Sequence, residues 1–159
     1  MNMNYLFLLV GLPASGKSTY CKQYKNVREV VVLSSDEIRE ELLNDINDQT
    51  NNKLVFDTLH KRAKAALKDG KIVIYDATSL TKTIRKNIID ELKDYTKSIQ
   101  CIYFNTPLKE CIKRNKMRDK KVPKKVIKRM AKKLEKPSFD EGFDIIFLEN
   151  GRIYNERKI

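Results

Sequence analysis

The 159-residue sequence predicts an α/β fold, a parallel sheet with helices on both faces. Two observations carry that expectation. Short apolar runs alternate along the chain with longer segments whose apolar residues recur at helical spacing. The first of these runs, Tyr5-Leu6-Phe7-Leu8-Leu9-Val10, leads directly into G-L-P-A-S-G-K-S-T, Gly11 to Thr19, which matches G-x-x-x-x-G-K-[ST] at every fixed position.

Each element follows in order. A buried strand is expected over 4–10, then the glycine-bounded loop, then a helix from 17 to about 25. Val30-Val31-Val32-Leu33 reads as the second strand, and Asp36 to Leu43 as a short helix. The polar stretch 44–52 is turn-prone. Leu54 to Lys68 has the helical apolar period and stops at Asp69-Gly70. Strand 71–75 precedes helix 81–94, whose Ile84, Ile88, Ile89 and Leu92 share a face. Strand 98–104 leads to a helix from Pro107, a residue suited to a first helical turn. Val122-Pro123 breaks the chain, and helix 123–134 follows with Val126, Ile127, Met130 and Leu134. Strand 144–148 and a small hairpin around Asn150-Gly151 close a single domain, 1–159. In a sheet of this kind the site lies beyond the carboxyl ends of the strands.

The loop's spacing has a physical purpose. Glycine at both ends lets backbone N–H groups point inward as an anion nest, and the following helix aims its positive end at the same place. Gly11, Ser15, Gly16, Lys17, Ser18 and Thr19 are therefore the expected contacts to ATP. Lys17 would reach the β and γ phosphates, and Ser18 would offer its hydroxyl to Mg²⁺.

Composition narrows the setting. No apolar run approaches the ~20 residues a membrane span needs, and no membrane partner is expected. The N-terminal apolar run lacks a basic flank and reads as a core strand. Cys21, Cys101 and Cys111 have no C-x-x-C spacing, and His60 is the only histidine. The cysteines read as core residues in a reducing, cytoplasmic protein. The formal net charge is +12. Between Lys109 and Lys136 stand fourteen lysines and arginines against Glu110, Asp119 and Glu135, so one segment holds nearly the whole excess. Such a run is either a solvated helical face or a surface for an anionic partner, the triphosphate or a nucleic acid backbone.

The residues after each strand are the candidates for chemistry. Asp36, in S-S-D-E-I-R, sits where a helix N-cap is expected and has Arg39 three residues on. The pair either caps a helix or serves an acceptor alcohol, the carboxylate taking its proton and the guanidinium holding a nearby phosphate. Asp76, ending the third strand, resembles an aspartate that acts on Mg²⁺; it could instead orient Thr78 or an acceptor. Arg85 either touches an anionic substrate or is an exposed helix arginine. Arg114 and Arg118, four apart, share a helix face ahead of the Val122-Pro123 break. They read as part of a basic helical lid, about 114–136, over the triphosphate, or as a solvated charge cluster.

Assembled, these motifs resemble the 5′-hydroxyl polynucleotide kinases of the P-loop kinase group, and the kinase half of the bacteriophage end-healing enzymes in particular. The likeness runs through G-L-P-A-S-G-K-S-T, S-S-D-E-I-R, G-K-I-V-I-Y-D-A-T, K-R-N-K-M-R-D-K-K-V-P-K-K-V-I-K-R-M and E-G-F-D. It implies a P-loop kinase fold, with ATP and Mg²⁺ as cofactors. It implies Asp36 as general base, Arg39 on the acceptor's phosphate, Lys17 and Ser18 on triphosphate and metal, and Arg118 and Arg114 as lid arginines. Asp76-Ala77-Thr78 departs from the D-T-N common in the family, at Ala77. The phage enzymes carry a phosphatase domain as well, so this chain is expected to act as a stand-alone kinase on DNA or RNA 5′-hydroxyl ends.

Two other readings remain. A kinase of the same group acting on a sugar, antibiotic or nucleoside would use the basic segment for ATP and solubility alone. A non-transferring ATP-binding module would have no use for a base such as Asp36. The acceptor, DNA against RNA, and the oligomeric state leave no mark in the sequence.

Overall fold

The structure, a computed structural model, describes residues 3–119 and 121–154. Its five strands are β1 (Tyr5–Gly11), β2 (Val30–Ser34), β3 (Ile72–Asp76), β4 (Ser98–Phe104) and β5 (Ile145–Leu148). They form one sheet in the order β2-β3-β1-β4-β5, and every pairing is parallel. Six α-helices among the described residues connect them: α1 (Lys17–Lys22), α2 (Ser35–Leu43), α3 (Asn52–Lys68), α4 (Lys82–Leu92), α5 (Leu108–Asn115) and α6 (Lys124–Lys133).

The strand period of two divides the core between the sheet's faces. Leu6, Leu8 and Val10 of β1 pack with Ile38 of α2, Val55, Leu59 and Ala63 of α3, and Ile88 and Leu92 of α4. Leu9 points the other way, into a cluster with Cys21 and Phe104 that Phe7 and Tyr20 flank. A third cluster, Leu12, Leu80, Cys111 and Ile127, lies under α5 and α6 and glues that hairpin to the loop after β1. All three cysteines are buried and free. No helix among the described residues is long and apolar enough to cross a membrane.

Most boundaries agree with the sequence to within two residues. The exception is α1, which stops at Lys22 rather than near 25. Gln23 and Tyr24 donate to the carbonyls of Tyr20 and Cys21, three residues back. That tighter bonding ends the α-helix at Lys22 while Tyr24 still packs beside Tyr20. The terminal hairpin is present as a bridge between Phe147 and Ile153.

The strand order is what positions the site. β2, β3, β1 and β4 lie side by side and parallel, so their carboxyl ends form a row. Along that row stand the start of α2, then Asp76, then the glycine-bounded loop, then the connection into α5.

Candidate active site

The loop after β1 is built as a cradle. Ala14 and Gly16 both hold positive φ, 62° and 111°, which turns the backbone of P-A-S-G back on itself. A Cβ on Gly11 would stand 2.7 Å from Ser15 Oγ and 2.8 Å from Phe104 Cβ, so only glycine admits this close approach of β4. The Ser15 carbonyl accepts from Thr106 Oγ1 at 2.8 Å and Arg114 Nη1 at 3.4 Å, which ties the loop to the β4–α5 connection. Ser15 Oγ is buried and has no hydrogen-bond partner in the structure. An orphaned hydroxyl inside a concave run of N–H groups suits an anionic ligand there.

Lys17 crosses the loop from inside, its ammonium donating to the carbonyls of Gly11 at 3.0 Å and Leu12 at 2.7 Å. Burial pushes its pKa below the ordinary value, while the carboxylates of Asp76 and Asp36 oppose the shift. Asp76, at the end of β3, is 9% exposed. Burial raises its carboxyl above the usual range, and the Lys17 ammonium works against that. A buried lysine and a buried aspartate at one edge of the cradle can hold a phosphate and a divalent cation. Ser18 and Thr19 stand exposed on the cavity side of α1.

The cradle opens into a cavity of about 980 Å³, room for a nucleotide and more. Across it lies the start of α2. Here the structure corrects the sequence, which put Asp36 at the N-cap. The cap is Ser34, whose hydroxyl accepts from the Glu37 N–H. Asp36 falls in the first helical turn, and its carboxylate is not spent on the backbone. It is 56% exposed and accepts from Arg39 Nη1 at 3.2 Å. Arg39 is itself buried and donates from Nη2 to Asn52 Oδ1 at 3.0 Å. Its Nε has no partner.

On the opposite flank, Arg114 and Arg118 both line the cavity. Arg114 reaches the Ser15 carbonyl and pairs with Glu110 at 3.3 Å. Arg118 lies past the end of α5, in a loop pinched shut by Asn115. That buried side chain donates to the Val122 carbonyl at 2.7 Å and accepts from the Val122 N–H at 3.0 Å. Thr78 lines the cavity, and its carbonyl accepts from the Gly11 N–H at 3.1 Å.

Arg85 is the second correction. It is neither a substrate contact nor an exposed arginine, being 0% exposed and outside the cavity lining. Nε and Nη2 grip both oxygens of Glu141 at 2.7 and 3.2 Å. Nη1 donates to the carbonyls of Ser79 and Leu80, and Nη2 also donates to that of Glu135. Every donor is consumed, so Arg85 is a structural knot joining α4, the β3–α4 loop and the exit from α6.

Sequence reasoning missed Thr106, Asn52, Asn115 and Arg129. Thr106 and Asn52 act through partners 91 and 13 residues away, and Asn115 through Val122 seven residues on, at spacings outside the helix and strand periods. Arg129 lines the cavity but was lost among its basic neighbours.

Residues 6–137 match the family model described as an AAA domain. The chain belongs to that family. Its fold, a parallel sheet flanked by helices around a phosphate loop, is the α/β P-loop kinase fold. This AAA-domain chain is 30% identical over 122 residues to the L-seryl-tRNA(Sec) kinase of Methanococcus maripaludis, covering 73% of the chain and 47% of that protein. It therefore spans about half the length of the curated relative it matches. Among solved structures it resembles a chain of the Pnkp1/Rnl/Hen1 complex, with 25% identity, a TM-score of 0.64, and coverage of 72% of this chain and 40% of that one. It also shares its fold with Kti12 of Chaetomium thermophilum, solved with ADP-AlF3. That likeness has 19% identity and a TM-score of 0.71, over 90% of this chain and 87% of that one.

Proposed function

We propose that the chain is an ATP-dependent kinase that phosphorylates the 5′-hydroxyl end of a polynucleotide, and that residues 1–159 act as one kinase domain with a lid at about 114–136. The observation that carries the reading is the Asp36–Arg39 pair. An exposed carboxylate, free of capping duty, faces the phosphate cradle across one cavity, backed by a buried arginine with a spare donor. A base beside an anion-binding group suits an alcohol attached to a phosphodiester.

Gly11, Ser15, Gly16, Lys17, Ser18, Thr19, Arg114 and Arg118 would hold the nucleotide, and Ser18 and Asp76 the Mg²⁺. Bound ATP and Mg²⁺ supply the γ-phosphoryl group and a cation that draws off its charge. Asp36 accepts the proton of the acceptor hydroxyl at its free carboxylate oxygen. Arg39 fixes the acceptor's first phosphate, which aligns the hydroxyl. Lys17 offers positive charge from within the loop, and Arg118 from the lid. Thr78 sits where it can touch the acceptor. RNA is favoured over DNA as the acceptor, because the 30% identical relative is a seryl-tRNA kinase.

The test is phosphoryl transfer from γ-labelled ATP with Mg²⁺ to a short RNA bearing a 5′-hydroxyl, beside its 5′-phosphorylated twin. Label on the first alone is expected. The seryl-tRNA kinase relative supports a second reading, in which the alcohol is carried on a tRNA-bound aminoacyl group. Transfer to seryl-tRNA and to neither oligonucleotide would select it. ATP binding without any of these transfers would move the assignment to a small-molecule alcohol.

A further inference from the structure

On α5, Cys111 and Asn115 are buried, and at 100° per residue Lys109, Lys113 and Lys116 fall on the opposite side. On α6, Ile127 is buried and Met130 faces the cavity, while Lys125, Lys128 and Lys132 point outward. All six ammonium groups are exposed, and none forms an ion pair or side-chain hydrogen bond among the described residues. Elsewhere Lys25, Lys53, Lys64 and Lys86 each hold a carboxylate at 2.5–2.8 Å, whereas Lys22, Lys61 and Lys82 are scattered singly and hold none. What marks the hairpin is that six unpaired lysines are gathered on two packed helices. The α5 lysines also line a shallow groove of about 560 Å³, with Ile112 and Pro107 in its wall and Glu110 at one side. Glu110 is drawn off by Arg114.

We infer that the outer face of the α5–α6 hairpin is a docking track for an RNA strand, holding its phosphate backbone while its 5′ end occupies the cavity behind the same two helices. The inference rests on the polynucleotide reading above. Lysines spaced along two packed helices, unneutralised by protein carboxylates, match a repeating row of phosphates, and their condensed counterions would be released on binding. An isolated anion would need only one of the two stripes.

Binding and transfer test it separately. A 5′-phosphorylated, 3′-fluorescent RNA of about 20 nucleotides accepts no phosphate, so its anisotropy reads docking alone. With six single-strand contacts, affinity should fall about 300-fold between roughly 50 and 200 mM salt. Lys125→Gln/Lys128→Gln/Lys132→Gln, which touches no cavity residue, should reduce that fall to about 20-fold. The same triple variant should raise KM for a long 5′-hydroxyl RNA while leaving KM for ATP and transfer to a 5′-hydroxyl dinucleotide unchanged. A variant with the wild-type salt slope overturns the track, as does a protein that binds phosphatidylserine vesicles and no RNA. Failure to label the dinucleotide in the unmodified protein, with the salt slope intact, instead rejects the kinase reading and leaves the track standing.

Discussion

Two arginine–carboxylate pairs stand three residues and fifty-six residues apart in sequence, and they behave as opposites. Arg85–Glu141 is sealed, with side chains 0% and 7% exposed and every guanidinium donor spent. Arg39–Asp36 is open, with a buried arginine whose Nε has no partner and a carboxylate 56% exposed. Both arginines sit on helices following strands of the same sheet. What separates the two pairs is leftover hydrogen-bonding capacity beside a cavity. A satisfied pair has nothing to offer a ligand.

The sharpest way to break that comparison is to remove each arginine. Arg85→Ala strands a buried carboxylate and should cost about 3–5 kcal/mol of stability, read by chemical denaturation. Arg85→Met with Glu141→Leu should recover much of it; no recovery would mean that Arg85's carbonyl contacts outweigh the ion pair. Asp36→Ala should leave the melting temperature nearly unchanged and lower kcat roughly 10²–10⁴-fold. Transfer at the normal rate would end its role as base. Arg39→Ala should act on the acceptor, lowering kcat/KM roughly 10–100-fold through KM with ATP affinity retained. Equal loss for ATP and acceptor would make Arg39 another structural arginine.

The weakest effect is a control on acidity, because neither pair contains a histidine. His60 bonds the Tyr75 hydroxyl at 2.7 Å, and burial holds its pKa below 6.5. The unfolded chain therefore takes the proton first as pH falls through 6.5. His60's contribution is complete above that point and declines below it until the folded pKa is reached. After screening at this half-buried site the slope is at most about 1 kcal/mol per pH unit. Denaturation midpoints on either side of pH 6.5 should show the decline in the parent and not in His60→Gln.

The contrast between the pairs also explains what the sequence could and could not disclose. The sheet was legible because each strand is a short apolar run, and the phosphate loop because its whole geometry is local. Asp36 and Arg39, one helical turn apart, were visible as a pair for the same reason. Arg85 was misread because its partner is Glu141, and the contact exists only after β4, α5 and α6 have wound past. The sequence places the cap at Asp36 because it ends the strand at Leu33 and begins the helix at Asp36. Ser34 is both the last residue of β2 and the helix cap, a double role that linear patterns do not resolve.

The Asn115 clasp makes this chain convenient to instrument. Two hydrogen bonds between Asn115 and Val122 close the base of the loop that carries Met117 and Arg118. Met117 sits there with 83% of its surface exposed, one residue from Arg118. The three native thiols are all buried and so shielded from reagents. A single cysteine placed at 117 would be the one exposed thiol among the described residues, and a dye attached there would make the loop beside the cavity an optical reporter of what enters it.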